Sequence, residues 1–391
     1  MPTGPHYSSW IEINRAHWLD NTRVFRGILG ETQLGGVLKG NAYGHGLEQA
    51  IDVLHGSVSW FYTITLDEAL TVRAWEHAHD CEESAILCIG ALSENEIVRA
   101  AEARIAVVAA SVADMDRIRN ACKATETPLA VHMHIDTGLS REGFAPSEVS
   151  AATRTLCRCP GVSVEGALTH FANTEDVSEQ AYAERQLALF EEGLGHINRC
   201  LEICGRPEVA VRHLAASAAA LVLPGSRADV ARVGIALYGL WPSRETRLSA
   251  MLVLGRSIEL KPVLAWKCRA QLIKKLPAGA LVGYGCTYRC ASETTIAVLP
   301  VGYADGYARA ASGRAHVLVR GIRCPVIGRV MMNHIIVDVS GVPDPQDSMV
   351  ATLIGSDGDE AVTVEEHAGW TQTIGYEVTT RLGAHLRRII V

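Results

Sequence analysis

The sequence predicts a (β/α)8 TIM-like barrel followed by a mostly β domain, an α/β fold overall. Three observations carry this. Between Gly35 and Leu240, short apolar runs alternate with amphipathic stretches. After about Pro242 the texture turns β-rich, broken by Gly, Pro and Asp turns. The 391 residues accommodate a barrel of about 250 residues and a smaller second domain.

The apolar runs of the first part are Gly36–Lys39, Trp60–Thr65, Ala85–Ile89, Ile105–Ala109, Leu129–Ile135, Val164–Thr169, Val209–Leu214 and Arg232–Tyr238. Helix-like segments lie between them, among them Ser93–Ala103, Ser111–Cys122 and Ser178–Leu201. Ser93 followed by Glu96 has the spacing of a capping box. Eight strands with seven helical connections read as a barrel. In the second part, Trp266–Lys274, Thr294–Pro300, His316–Arg320, Ile335–Val339 and Met349–Ile354 read as strands, with an amphipathic helix only near Val364–Trp370. The division expected is residues 1–242 for the barrel and 243–391 for the β domain, with a short N-terminal segment associating with the latter.

Hydrophobic residues make up 48% of the chain and charged residues 20%, the composition of a protein with a large buried core. The formal net charge of -7 is spread without runs of one sign, which argues against a nucleic-acid partner. No stretch approaches the roughly 18 apolar residues of a membrane helix, so no membrane partner is expected. Met1 to Glu12 has neither the basic nor the apolar region of a secretory signal. The 11 cysteines include no C-x-x-C pair and read as reduced thiols of a cytoplasmic protein.

Barrel chemistry gathers at the C-terminal ends of strands. The first apolar run ends in Val37-Leu38-Lys39-Gly40-Asn41-Ala42-Tyr43-Gly44-His45-Gly46. A lysine closing a buried strand must be paired or made neutral. A Schiff base with an aldehyde cofactor is one solution; an exposed strand end is the plain alternative. Glycines at 40, 44 and 46 permit a ligand to approach the backbone closely. Taken singly, Tyr43, Tyr284 and Tyr303 read as packing residues, His170 as a structural histidine and Arg232 as half of an ion pair. His132 and His134, two apart on a strand, suggest a metal, but no third ligand follows at useful spacing, so no metal site is expected.

The segment from Lys39 to Gly46 resembles the cofactor-lysine signature of alanine racemases, and further motifs follow in that family's order. Asp136-Thr137-Gly138-Leu139-Ser140-Arg141-Glu142-Gly143-Phe144 is similar to its arginine loop. Thr169-His170-Phe171-Ala172, Ala216-Ser217-Ala218-Ala219 and Arg232-Val233-Gly234-Ile235-Ala236-Leu237-Tyr238-Gly239 come next. Gly283-Tyr284-Gly285-Cys286-Thr287-Tyr288, Val301-Gly302-Tyr303-Ala304-Asp305-Gly306-Tyr307, Gly328-Arg329-Val330-Met331-Met332-Asn333 and Thr373-Ile374-Gly375-Tyr376-Glu377 complete the series.

The resemblance implies a racemase dependent on pyridoxal 5'-phosphate, acting on a small amino acid, alanine first, as a homodimer with shared active sites. Lys39 would hold the cofactor covalently and act as one of two bases. Tyr284 of the partner subunit would be the other. Tyr43, Ser217, Gly234, Ile235 and Tyr376 would bind the cofactor phosphate, Arg232 would face the pyridine nitrogen, and His170 would lie beside the ring and help hold Arg232. Arg141, Tyr303, Met332 and Asn333 would surround the substrate. Racemisation requires proton removal on one face and delivery on the other, so two acid/base groups must flank the α-carbon. An arginine, with a pKa above 12, cannot readily give a proton to the ring nitrogen, which leaves the cofactor a weaker electron sink.

Two departures stand out. Many family members carry a carbamylated lysine seven residues before the loop arginine; here that position is His134. Histidine forms no comparable carbamate, so Arg141 must be held by His134 itself, an anion or water. Asn333 stands where common alanine racemases carry aspartate. It offers an N–H donor and opens an alternative reading as a serine or broad-specificity racemase. A related decarboxylase would need a triple-glycine phosphate loop and an acid at the pyridine nitrogen, and this chain has neither. A non-catalytic carrier of the cofactor would lack the β domain.

Overall fold

Most of the expected apolar runs become strands whose side chains are largely buried. We describe residues 7–391, apart from 176, 177 and 179, in a computed structural model that divides into two units. The barrel unit comprises residues 19–39 and 50–261. The β unit comprises 7–18, 40–49 and 262–391.

After β1 (Ser9–Ile13), which belongs to the β unit, come the eight barrel strands. They are β2 (Gln33–Val37), β3 (Trp60–Thr63), β4 (Ala85–Cys88), β5 (Ala106–Ala109), β6 (Leu129–His134), β7 (Val162–Leu168), β8 (Val211–His213) and β9 (Val230–Val233). They pair in parallel in the order β8-β7-β6-β5-β4-β3-β2-β9. Between β8 and β9 the wall is drawn together outside a regular ladder. Arg232 N donates to Ala215 O at 2.8 Å and Asp229 N to Arg212 O at 3.1 Å. The Arg212 guanidinium grips the Asp229 carboxylate at 2.8 and 2.9 Å.

Strands of this sort read as continuous apolar runs because both their faces are covered. Ala106–Ala109 is buried throughout, as is Val230–Val233. The eighth expected strand is corrected: Arg232–Tyr238 is strand only to Val233. Gly234 (φ -106°, ψ -105°) then turns the chain into a short 3-10 helix, Ile235–Tyr238. Those four side chains are buried, and a short buried apolar run carries no period that separates strand from helix.

The outer helices form where caps and apolar spacing require. Ser93 and Glu96 close a reciprocal capping box on Glu94–Glu102. The Ser111 hydroxyl caps Val112–Ala121. Of the expected Ser178–Leu201 helix, Glu179 lies outside the described residues; the helix runs Ala181–Ile203.

In the β unit follow β10 (Leu264–Arg269), β11 (Leu272–Leu276), β12 (Leu281–Val282), β13 (Tyr288–Arg289), β14 (Thr294–Leu299), β15 (His316–Val319), β16 (Ile322–Ile327), β17 (Ile335–Asp338), β18 (Val350–Asp357), β19 (Glu360–Val362) and β20 (Arg387–Ile390). The main sheet runs β11-β14-β17-β16-β15-β18-β10-β1-β20. The N-terminal strand therefore lies antiparallel to β10 and parallel to β20. β10 alternates buried and half-buried residues, the period of a strand with one face on a core. Trp266 is 1% exposed and Trp10 2%; burying a large apolar side chain stabilises by about 1.5–3 kcal/mol.

β12 and β13 make a separate ribbon over a small core of Val282, Cys290, Ile296 and Ile327. No helix among the described residues is long and apolar enough to cross a membrane.

Candidate active site

Lys39 stands two residues beyond β2, on the side of the barrel where the strands end. The backbone then makes a left-handed turn. φ is positive at Gly40 (66°), Asn41 (54°), Ala42 (54°) and Tyr43 (53°), although three of the four carry side chains. Strain of this sort costs of the order of 1–3 kcal/mol per residue and gathers at functional sites. It is locked by Asn41 Oδ1, which accepts from Leu47 N at 2.8 Å.

Inside the β unit, this turn is pinned against Gly375–Thr380. A Cβ on Gly44 (φ 82°) would stand 1.9 Å from Thr379 O, so only glycine fits. Arg388 donates to Gly44 O from Nε at 3.0 Å and Nη2 at 2.9 Å. The docking brings the Tyr43 and Tyr376 rings to a centroid distance of 6.1 Å. Burial raises the Tyr43 phenol well above its ordinary value, so it stays a neutral donor.

The barrel unit gathers the positive groups. Burial lowers the Lys39 pKa, and Arg141 and Arg232 lower it further. Arg232 is 7% exposed. Its guanidinium donates to the carbonyls of His213, Thr169 (2.7 Å) and Leu214 (3.2 Å), with His170 Nδ1 at 3.5 Å. Burial first, then Arg141, brings its pKa down to about 10, which leaves it cationic at neutral pH. Among the described residues no carboxylate pairs with it. His170 and His134 are pushed to about 3 and about 4, chiefly by burial and then by Arg232, so both rings are neutral.

Ser217 opens the helix Ser217–Val222, and its Oγ accepts from Gly234 N at 3.0 Å. That leaves the hydroxyl proton free to donate. Two short helical turns, starting at Ser217 and Ile235, thus begin side by side after β8 and β9, the place where such barrels hold phosphate.

Arg141 is not held by His134. It donates to Glu142 Oε1 from Nε at 3.2 Å and Nη2 at 2.9 Å. The pair lines a recess of about 390 Å³ with Asp114 and Arg117.

The remaining expected residues belong to the β unit. Tyr284 begins the turn Tyr284–Cys286 between β12 and β13 and is 70% exposed. Tyr303 N donates to Met331 O and Ala304 N to Met332 O, both at 3.0 Å, which joins the two loops. Tyr303 and Met332 are 44% and 55% exposed. Asn333 lines a recess of about 570 Å³ with Arg269, Asp305 and His334. Sequence reasoning missed His213 and Glu142. Glu142 had a signal in its place beside the loop arginine; His213 had none, being one buried residue in a short apolar run.

Two family models match this chain: "Alanine racemase, N-terminal domain" over residues 13–242 and "Alanine racemase, C-terminal domain" over 263–390. The chain belongs to the alanine racemase family. An alanine racemase of Leptospira interrogans is 34% identical over 397 residues, covering 98% of this chain and 96% of that protein. The crystal structure of an alanine racemase from D-cycloserine-producing Streptomyces lavendulae matches with a TM-score of 0.87 and 31% identity, covering 99% and 98%. A histidine racemase from Leuconostoc mesenteroides matches with a TM-score of 0.85 and 26% identity, covering 99% of each chain.

A member of this family is an isomerase that works with pyridoxal phosphate. The residues present fit that group. A lysine with a destabilised ammonium and a buried arginine with no anionic partner among the described residues would together receive an anionic aldehyde. Within the barrel unit, the Ser217 hydroxyl beside Gly234 N would serve its phosphate.

Proposed function

We propose that this chain interconverts L- and D-alanine by a two-base mechanism in a homodimer with shared active sites. The observation that carries the proposal is Lys39, destabilised as an ammonium at the end of a barrel strand by burial, Arg141 and a buried Arg232 with which no described carboxylate pairs. Bound there, pyridoxal phosphate supplies a conjugated electron sink for the electrons left when an α-proton departs.

Each residue then has a task. The lowered pKa of Lys39 gives Nζ a neutral population able to take a proton. Tyr284 Oη serves the other face, coming from the partner subunit. Its exposure at the tip of a ribbon anchored by buried Val282 and Cys290 suits a group that a second copy covers. Arg232 binds the pyridine nitrogen as a donor and keeps its own proton. Ser217, Tyr43, Tyr376 and the backbone of Gly234 and Ile235 hold the phosphate. His170 flanks the ring, Arg141 receives the substrate carboxylate, and Tyr303 and Met332 limit the room for a side chain. Eleven free cysteines support a cytoplasmic setting.

Asn333 favours a second reading, serine or a broader set of small amino acids. Its amide can donate to a substrate hydroxyl where aspartate cannot. The Leuconostoc histidine racemase supports such breadth in this architecture.

The test is borohydride reduction of the purified holoenzyme followed by peptide mapping. The label is expected on Lys39, and Lys39→Ala should abolish both label and racemisation. A label on another lysine, or none, overturns the proposal.

A further inference from the structure

Behind Arg232 the barrel interior holds a line of buried rings. His213 Nδ1 lies 3.4 Å from Arg232 Nη1, and His213 Nε2 lies 2.8 Å from His132 Nδ1. The two imidazoles meet edge to face at a centroid distance of 4.9 Å. Both are 0% exposed. Tyr62 packs on His213 at 5.6 Å and Trp60 on His132 at 5.5 Å.

Hydrogen-bond chemistry orders this line. A guanidinium has only donors, so His213 Nδ1 must be the bare nitrogen that accepts. A neutral imidazole carries one ring proton, which then resides on His213 Nε2. That proton is given to His132 Nδ1, which must itself be bare, and the His132 proton is on Nε2. Reversing either link would set donor against donor. The rings are neutral because burial holds His132 at about 3 and His213 well below its ordinary value, with Arg232 and His134 acting the same way on His213.

The fold accommodates His132 at a cost. The β6–β7 register shifts between Val131 and His132. The facing residue is Gly166, where a Cβ would stand 2.1 to 2.5 Å from three atoms of the His132 ring. His132 Nε2 is buried without a hydrogen-bond partner among the described residues. A buried unsatisfied donor costs about 1–3 kcal/mol, and an apolar side chain would avoid it. A cost kept inside a core points to a task.

We infer that His132 is a positioning residue for the reaction: it acts through His213 to hold the Arg232 guanidinium in one orientation. This rests on the reading of Arg232 as the group that faces the cofactor ring. His132 is fully buried and reaches Arg232 only through His213. Its Nδ1 accepts the His213 Nε2 proton, so His132 from one side and Arg232 from the other admit a single His213 tautomer, and that tautomer keeps a bare Nδ1 toward Arg232.

The test uses the holoenzyme and two variants. His132→Phe keeps a ring and removes the acceptor; His132→Asn restores an acceptor in Oδ1. Ring ¹⁵N spectra of histidine-labelled protein should show a single Nε2–H form of His213 in wild type and in His132→Asn, and loss of that single form in His132→Phe. The kcat for the racemised amino acid should fall about tenfold in His132→Phe with KM within about twofold, and recover to within about threefold in His132→Asn. An unchanged His213 tautomer and kcat in His132→Phe overturns the inference. Should that variant not fold, the wild-type spectrum decides, because an Nδ1-protonated His213 contradicts the ordering. The tautomer readout needs no racemase activity, so it separates failure here from failure of the proposed function.

Discussion

Arg141 donates twice to Glu142, its neighbour in the chain, and both side chains are about half exposed. A carboxylate of the protein thus occupies the guanidinium proposed to receive the carboxylate of the substrate. An exposed pair of this kind is worth about 0–1 kcal/mol, so the substrate can displace Glu142, at some cost in affinity. Glu142→Gln should lower KM for alanine by up to about threefold. Glu142 also raises the Lys39 pKa, so its loss should move the acid limb of the kcat profile to lower pH. A KM that rises, with an acid limb that stays or moves upward, would show that Glu142 orients Arg141 and does not compete for it.

The Tyr284→Phe variant should still bind cofactor, because Tyr284 is 70% exposed at the tip of its ribbon and Phe keeps the ring. Proton transfer on one face should suffer more than on the other. Rates of net racemisation cannot reveal this, since the equilibrium between enantiomers fixes their ratio. Exchange of the α-hydrogen with deuterated solvent, followed from each enantiomer separately, can. We expect exchange from L-alanine to fall at least about 100-fold and exchange from D-alanine to be better preserved. Intact exchange from L-alanine would remove Tyr284 from the two-base scheme.

Asn333 bears on which substrate is preferred. A site that donates to a hydroxyl gains on serine, and a pocket that merely tolerates the hydroxyl gains little. Asn333→Asp should therefore lower kcat/KM for L-serine relative to L-alanine by about tenfold, the effect of one lost hydrogen bond. An unaltered ratio would leave serine without support.

Much of this was legible in the residues, and the failures have physical causes. Most of the eight parallel strands showed as apolar runs because they bury most of both faces, and Lys39 stood out because a cation at the end of such a run needs a reason. Ile235–Tyr238 misled for the same cause: four buried apolar residues look alike in a strand and in a 3-10 turn. His132 and His134 were visible as a pair on one strand, which suggests a metal. What the sequence could not carry was the distance from His132 to His213, 81 residues further on, which turns one of that pair toward Arg232. Glu142 was hidden by the opposite circumstance, since an exposed glutamate in a loop is ordinary until its neighbour's partner is known.

The same buried histidines make the protein sensitive to acid. Burial holds the folded-state pKa of His132 and His170 at about 3 and of His134 at about 4, and holds His213 well below the ordinary value near 6.5. The unfolded chain takes up protons at those rings as pH falls through about 6.5, while the folded chain refuses them until the pH approaches 3 to 4. Below about 6.5 the unfolded state therefore binds more protons, and stability declines with falling pH; above it these rings make stability neither rise nor fall. Each ring should cost about 1 kcal/mol between pH 6.5 and 5.5. Denaturant midpoints at pH 8, 6.5 and 5.5 should show a plateau and then a drop, and the drop should be shallower in His132→Phe by about one histidine's share. Equal midpoints at pH 8 and 5.5 would mean that these rings admit protons in the folded barrel, and the neutral ordering of His132, His213 and Arg232 would go with them.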